Sequence, residues 1–176
     1  MLLIESLRAD TFRPFGDVIS VEESKQNFTI NDGYAQRYHN LAHVDAASAN
    51  GFPIISIFRS KPRQFPLTLI ILERHPLGSQ AFFPLGSQPF LVVVAAGDEK
   101  PDLQSIRCFI AKPGQGVNYG RGIWHHPLIS LGAESDFLVV DRAGAETDAN
   151  CEEFSLLDFN VSIQFPPKDL HEPHSA

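Results

Sequence analysis

Phe90-Leu91-Val92-Val93-Val94-Ala95-Ala96-Gly97-Asp98 decides the fold class. Its apolar part is strand-sized and far short of the roughly 18–20 residues that cross a bilayer. Valine favours the pleated, packed surface of a sheet, and Gly97-Asp98 closes the run with a turn signal. Because the run is apolar throughout rather than alternating, it fits a strand covered on both faces. Leu67–Leu72 reads the same way.

Outward from this segment the pattern repeats. Ile54–Phe58, Gln80–Pro84, Ile106–Ile110, Ile123–Ser130, Phe137–Asp141 and Val161–Phe165 are further strand runs. Turn signals separate them at Leu85-Gly86-Ser87, Pro113-Gly114-Gln115-Gly116 and Gly120-Arg121-Gly122. About eight strands at this spacing predict an all-β domain, a barrel or a two-sheet jelly roll. Helix is expected to be minor: Ala42–Asn50, a turn at Pro101–Ser105 with Pro first, and Glu152–Phe159. The polar stretch 166–176 is expected to fray.

The 176 residues suit one domain spanning 1–176, without a repeat or linker. With 43% hydrophobic and 20% charged residues, the chain is no disordered protein. A net charge of −7 argues against nucleic acid as partner, since phosphate neutralisation needs a basic face. The N-terminus has no basic region before its short apolar run, so no signal peptide is read, and no apolar run is long enough for a membrane span. Two cysteines, Cys108 and Cys151, make no disulfide framework. They read as free, packing thiols in a reducing cytoplasm.

Ionisable residues gather in two segments. In Leu72-Glu73-Arg74-His75-Pro76-Leu77-Gly78-Ser79-Gln80, Glu73 and His75 are two apart and share a face of an extended chain. The alternative is a solvated hairpin. In Gly116-Val117-Asn118-Tyr119-Gly120-Arg121-Gly122-Ile123-Trp124-His125-His126-Pro127-Leu128, adjacent histidines on a strand point to opposite faces, so at most one reaches a given cavity. Trp124 is either an aromatic wall beside that imidazole or a core anchor.

Together these segments resemble the two half-motifs of a cupin. Glu73-x-His75, then Gln80, then Gly86 match the first, and His125 the second. The resemblance assigns His75, Gln80 and His125 as metal positions. Glu73 stands where cupins carry His and Gln80 where they carry Glu, a weaker donor set. ERHPLGSQ at Glu73–Gln80 and WHHPL at Trp124–Leu128 look like ureidoglycolate lyase. So do Asn31-Asp32-Gly33, Arg37-Tyr38-His39, Gly97–Asp102, Asp136-Phe137-Leu138 and Asp141-Arg142. The blocks run in order from about residue 12 to about residue 144. Gly120 stands where many members carry His, and the tail after Cys151 matches little.

The resemblance implies an all-β, cupin-type double-stranded β-helix (jelly-roll) barrel with a few short helices. It also implies cleavage of (S)-ureidoglycolate to glyoxylate and urea in allantoin and purine breakdown, by a cytoplasmic homodimer. That elimination needs a base, an acid and a cation for the carboxylate, but no redox cofactor. His75 or His125 fits the base, and Glu73 orients it or serves as the acid. Gln80 and Asn118 suit the urea group, Trp124 walls the site, and Arg37, Arg74 or Arg121 suits the carboxylate. Asn31-Asp32-Gly33 would border the entrance. A loosely bound divalent ion such as nickel, a metal associated with this family, would turn His75, Gln80 and His125 into ligands. Two other readings fit the same residues: an amidohydrolase releasing ammonia, and a non-catalytic cupin binding a small carboxylate.

Overall fold

The structure, a computed structural model, describes residues 1–165 other than 146 and 148, so the fraying expected of 166–176 lies outside the described residues. Its strands in chain order are β1 (Ile4–Ser6), β2 (Gly16–Ile19), β3 (Asn27–Ile30), β4 (Ala35–Tyr38), β5 (Phe52–Ser60), β6 (Leu67–Thr68), β7 (Ile71–Arg74) and β8 (Gln80–Pro84). Then follow β9 (Phe90–Ala95), β10 (Arg107–Ala111), β11 (Gly116–Tyr119), β12 (Trp124–His125), β13 (Ile129–Ser130), β14 (Ser135–Ala143), β15 (Glu152–Ser155) and β16 (Ser162–Ile163). One short helix, α1 (Ala9–Phe12), joins them.

Two sheets carry the architecture. One has the order β1-β10-β9-β12-β7-β15, with β13 also on β9; the other has the order β2-β11-β8-β14-β5. They face each other across a core of Phe82, Phe90, Val92, Val94, Phe109, Val117, Phe137 and Val139, closed at one end by Phe12 and Phe15 of α1 and the turn after it. This is the all-β, two-sheet jelly-roll barrel that the sequence predicts. A second core lies on the outer face of the first sheet, where Leu69, Leu156 and Ile163 cover Leu91, Val93, Ala95 and Trp124. β9 is therefore buried on both faces, which is why its sequence is unbroken apolar rather than alternating.

Three strand runs come out differently. Leu67–Leu72 breaks in two: β6 pairs with β16 in the outer layer, and β7 joins the large sheet. Ile123–Ser130 also breaks, because four residues separate His125 from Ile129 while only three separate their β9 partners Val94 and Leu91. The extra residue is a bulge at His126-Pro127-Leu128, where Pro127 has no N–H to give the ladder. Four apart, His125 and Ile129 would share a face on a regular strand. The bulge instead sends His125 into the barrel and Ile129 into the outer core. Val161–Phe165 contributes only β16.

The helix expected over Glu152–Phe159 is instead β15 and a turn. Phe154 and Leu156 recur at period two, packing on Trp124 and into the outer core, and β15 supplies the pairing that the edge of β7 needs. Ala42–Asn50 holds only a 3₁₀ turn at Ser48–Asn50, because Ala49 and Asn50 take left-handed φ of 50° and 56°. The turn near Pro101 forms at Leu103–Ser105, capped by Asp102. Asn31–Gly33 makes the tip of the β3–β4 hairpin. Among the described residues no helix is long and apolar enough to cross a membrane.

The bulge buries His126, which is 5% exposed. Burial, with Arg63 and His125 nearby, lowers its imidazole below the ordinary 6.5, against the Pro127 carbonyl and Glu73, which raise it. The unfolded chain thus takes up a proton that the fold resists. The contribution is complete above pH 6.5 and is lost as pH falls from there through the folded value. Chemical denaturation between pH 8 and pH 5 is expected to show stability falling with pH, and His126→Asn to flatten that slope.

Candidate active site

Alternation along five strands brings one set of side chains to the same end of the barrel interior. Phe82 and Val139 face the core, and two residues away on their strands Gln80 and Asp141 face the same way. Tyr119 of β11 does likewise. Glu73 of β7 lies opposite His125 of β12 in the ladder, so these two share a face as well. His75 follows directly after β7.

These residues meet. His125 Nε2 lies 3.5 Å from Glu73 Oε1, and the His75 and His125 rings are 5.3 Å apart between centroids. Tyr119 stacks on His125 at 4.1 Å and 15°. Both imidazoles are pinned from behind: His75 Nδ1 is 2.6 Å from the Asn150 carbonyl, and His125 Nδ1 is 2.9 Å from the Ile123 carbonyl. A carbonyl only accepts, so in the neutral ring each Nδ1 carries the proton and each Nε2 is left with its lone pair. Both Nε2 atoms are buried and, among the described residues, have no hydrogen-bond partner. Asn150 also accepts from Leu77 N through its side chain at 2.9 Å, and Gly122 N donates to the His75 carbonyl at 2.9 Å. The His75 turn is thereby held at three points.

Burial works to raise the Glu73 carboxyl, but the neighbouring His125, with His75 and His126, outweighs that and holds it below its ordinary value. Asp141 goes the other way. Burial raises it, and Gln80 and His75 offset this only in part. Burial and the Glu73 charge raise Tyr119. Glu73, His75 and His125 offer ligand atoms all within 4.8 Å of one another, a set able to hold a metal ion. Glu73, Cys151 and Glu153 do the same at the rim.

Of the residues singled out from the sequence, Glu73, His75, Gln80 and His125 converge as expected. The histidine pair splits: His125 enters the barrel, while His126 is buried in the bulge. Arg74 and Trp124 sit on the opposite face of the same strands, since each is one residue from an inward side chain. Arg74 pairs with Glu152 at 2.6 Å, donates to the Asp98 carbonyl, and lies 4.9 Å over the Trp124 ring. Trp124, 2% exposed in the outer core, is the anchor rather than the wall. Asn118 points away from the neighbouring inward Tyr119 and donates to Asp17 at 3.1 Å and to the His43 carbonyl at 3.0 Å. Arg37 is exposed on the β3–β4 hairpin, with Asn31-Asp32-Gly33 at its tip, in a sheet separate from the barrel. Arg121 stays near the site: it pairs with Asp45 at 3.5 Å and donates to Ser48, and its neighbour Gly122 is the donor to His75.

Sequence reading missed Asp141, Tyr119 and Asn150. Strand alternation counted forward from Val139 could have found Asp141; nothing local marks Asn150, which lies 75 residues from His75. Asp141 and Arg142, adjacent on β14, face opposite sides of the sheet. Arg142 faces outward, donating to the carbonyls of Ser48 and Ala49. Cys108 is a buried, packed thiol, whereas Cys151 is exposed beside Glu73.

The sequence model described as ureidoglycolate lyase matches residues 1–164, so the likeness continues past Cys151. A ureidoglycolate lyase of Burkholderia cepacia is 46% identical over 169 residues, covering 95% of this chain and 92% of its own length. One of Pseudomonas syringae pv. tomato is 50% identical over 152 residues, 86% of this chain and 88% of its own. Among solved structures, RmlC from Streptococcus suis in complex with dTDP-D-xylose aligns at TM-score 0.42 and 8% identity, over 54% of this chain and 46% of that one. The match of sequence along almost the whole chain is decisive: this chain belongs to the ureidoglycolate lyase family.

Proposed function

We propose that the chain is a lyase that splits (S)-ureidoglycolate into glyoxylate and urea in the cytoplasm. The observation that carries the reading is the convergence of the His75 and His125 Nε2 atoms and the Glu73 carboxylate at one end of the barrel. The substrate carbon bears a hydroxyl, a carboxylate and a urea nitrogen. Cleavage moves one proton from the hydroxyl to the departing nitrogen as the C–N bond breaks and the C=O of glyoxylate forms. His75, whose Nε2 is free, takes the hydroxyl proton. His125, charge-paired with Glu73 when protonated, returns one to the urea nitrogen. Arg121 is the arginine for the carboxylate, since Arg74 and Arg142 face outward and Arg37 sits on the hairpin.

The same donor set fits a divalent metal: two neutral imidazoles, each fixed through Nδ1, and one carboxylate. Glu73, His75 and His125 would hold it. Such an ion supplies Lewis-acid polarisation of the hydroxyl and carboxylate oxygens. The three residues then act as ligands and not as acid and base.

A homodimer accords with the surface. β5 ends its sheet with one edge unpaired, and Phe52, Ile55, Ile57 and Phe58 are 40–72% exposed on it. Unpaired edges and contiguous apolar surface are commonly covered by a partner.

Glyoxylate, urea and ammonia, assayed together on racemic ureidoglycolate, test the activity. Glyoxylate with urea is expected, and ammonia as the first nitrogen product would instead mark an amidohydrolase. His75→Gln, His125→Gln and Glu73→Gln are expected to lower kcat by about 10²–10⁴-fold. Activity that survives metal stripping assigns acid and base roles to these residues, while activity restored only by nickel or manganese assigns them as ligands. The double substitution Ile55→Glu with Ile57→Glu is expected to halve the mass measured by light scattering; a wild type that is already monomeric overturns the dimer.

A further inference from the structure

Two oxygens at the site have no role in the chemistry above. Gln80 is 6% exposed, yet its Oε1 is sealed from solvent without a hydrogen-bond partner, and Asp141 Oδ1 is in the same state. Native folds rarely leave buried acceptors unmatched, and each exception calls for an occupant. The two side chains point inward from neighbouring strands: Val140 pairs with Ala81, which brings Asp141 level with Gln80. They are close enough for Gln80 to act on the Asp141 carboxyl, lowering it against burial. A carboxylate only accepts, so the Gln80 amide gives its N–H to Asp141 and keeps its oxygen free. The result is a pair of adjacent acceptors, with His75 close enough for its charge to act on Asp141.

Urea has the matching edge. Opposite its carbonyl, the two nitrogens each direct an N–H outward, nearly parallel and a few ångströms apart. We propose that Asp141 and Gln80 form the ureido-binding subsite, their Oδ1 and Oε1 accepting that N–H pair. The proposal rests on the lyase reading and adds a residue and a specificity to it. With the ureido group held here, the substrate hydroxyl falls to the imidazole side of the site. An analogue with an ether or ester oxygen in place of N–H sets a lone pair against a lone pair, and a site built to pair with N–H rejects it. Asp141 is thus a recognition residue, distinct from the groups that carry the proton.

N-carbamoylglycine tests this, because it carries the ureido and carboxylate groups but lacks the hydroxyl and cannot be cleaved. Glycolate carries the hydroxyl and carboxylate without urea. Calorimetric titration of both into wild type, Asp141→Asn and Gln80→Met is the experiment. Asp141→Asn keeps the shape and turns an acceptor into an N–H₂ donor. It is expected to weaken N-carbamoylglycine by about tenfold or more, Gln80→Met to do the same, and both to leave glycolate unchanged. Should Asp141→Asn not fold, as judged by its melting curve, Gln80→Met carries the test. Equal losses for both ligands, no loss for either, or failure of wild type to bind N-carbamoylglycine overturns the subsite. The lyase reading fails separately, if wild type releases no glyoxylate and urea, because the titration does not depend on turnover.

Discussion

The constraint on which the molecule turns is that one sheet carries two cores. β9 is buried on both faces, and its neighbours inherit the division: Val92 and Val94 face the barrel, Leu91, Val93 and Ala95 the outer layer. Every residue on β7 and β12 must therefore belong to one side or the other. Glu73 and His125 go inward, and Leu72, Arg74 and Trp124 outward. A one-residue slip would exchange the two sets and put Arg74 and Trp124 where the chemistry is. Trp124 and the apolar residues packed around it hold that register, so the outer core stabilises the active site without touching it.

The site is built from side chains held in place from behind. Each imidazole is oriented by a backbone carbonyl behind it, and neither carbonyl comes from the strand that bears the ring's partner. Fixing Nδ1 this way fixes what Nε2 can do, because a neutral ring with its proton at the back accepts at the front and donates there only once protonated. The same preparation suits a base and a metal ligand, so geometry alone leads to both assignments. Glu73 is held ionised beside His125, while Asp141 is raised by burial. Two carboxyl groups in one site thus differ in environment, and so in their tasks.

Much of this was legible in the sequence, but unevenly. β8 and β9 could be bounded from composition because both are bracketed by Pro or Gly and rich in Phe and Val. The strands missed, such as β2 and β15, are short, carry charged residues, and are strands only because a sheet edge required a partner. ERHPLGSQ and WHHPL located Glu73, His75, Gln80 and His125. Within those blocks, however, sequence could not separate inward from outward residues, and Arg74 and Trp124 were read toward the site. Asp141 entered only as part of the block Asp141-Arg142, and nothing in that pair told which residue faces the barrel. Asn150 left no trace, because a backbone carbonyl has no sequence signature.

The polar residues on the outside of the second sheet complete the arrangement. Ser79 N donates to the Asp45 carbonyl and Asp45 N to Ser79 Oγ, both at 2.8 Å. Arg142 holds the carbonyls of Ser48 and Ala49, Asn118 that of His43, and Arg121 reaches Asp45 and Ser48. These contacts strap the segment 43–49 across the outer face of β11 and β14, directly behind Tyr119 and Asp141. Gly78 leaves no room for slack: a Cβ there would meet Arg142 Cβ at 2.7 Å. Asn118, which sequence reading assigned to the substrate, thus anchors the strap. Because the same strands bear the strap on one side and the acceptors on the other, loosening it would shift Asp141 relative to Gln80 before it disturbed either histidine.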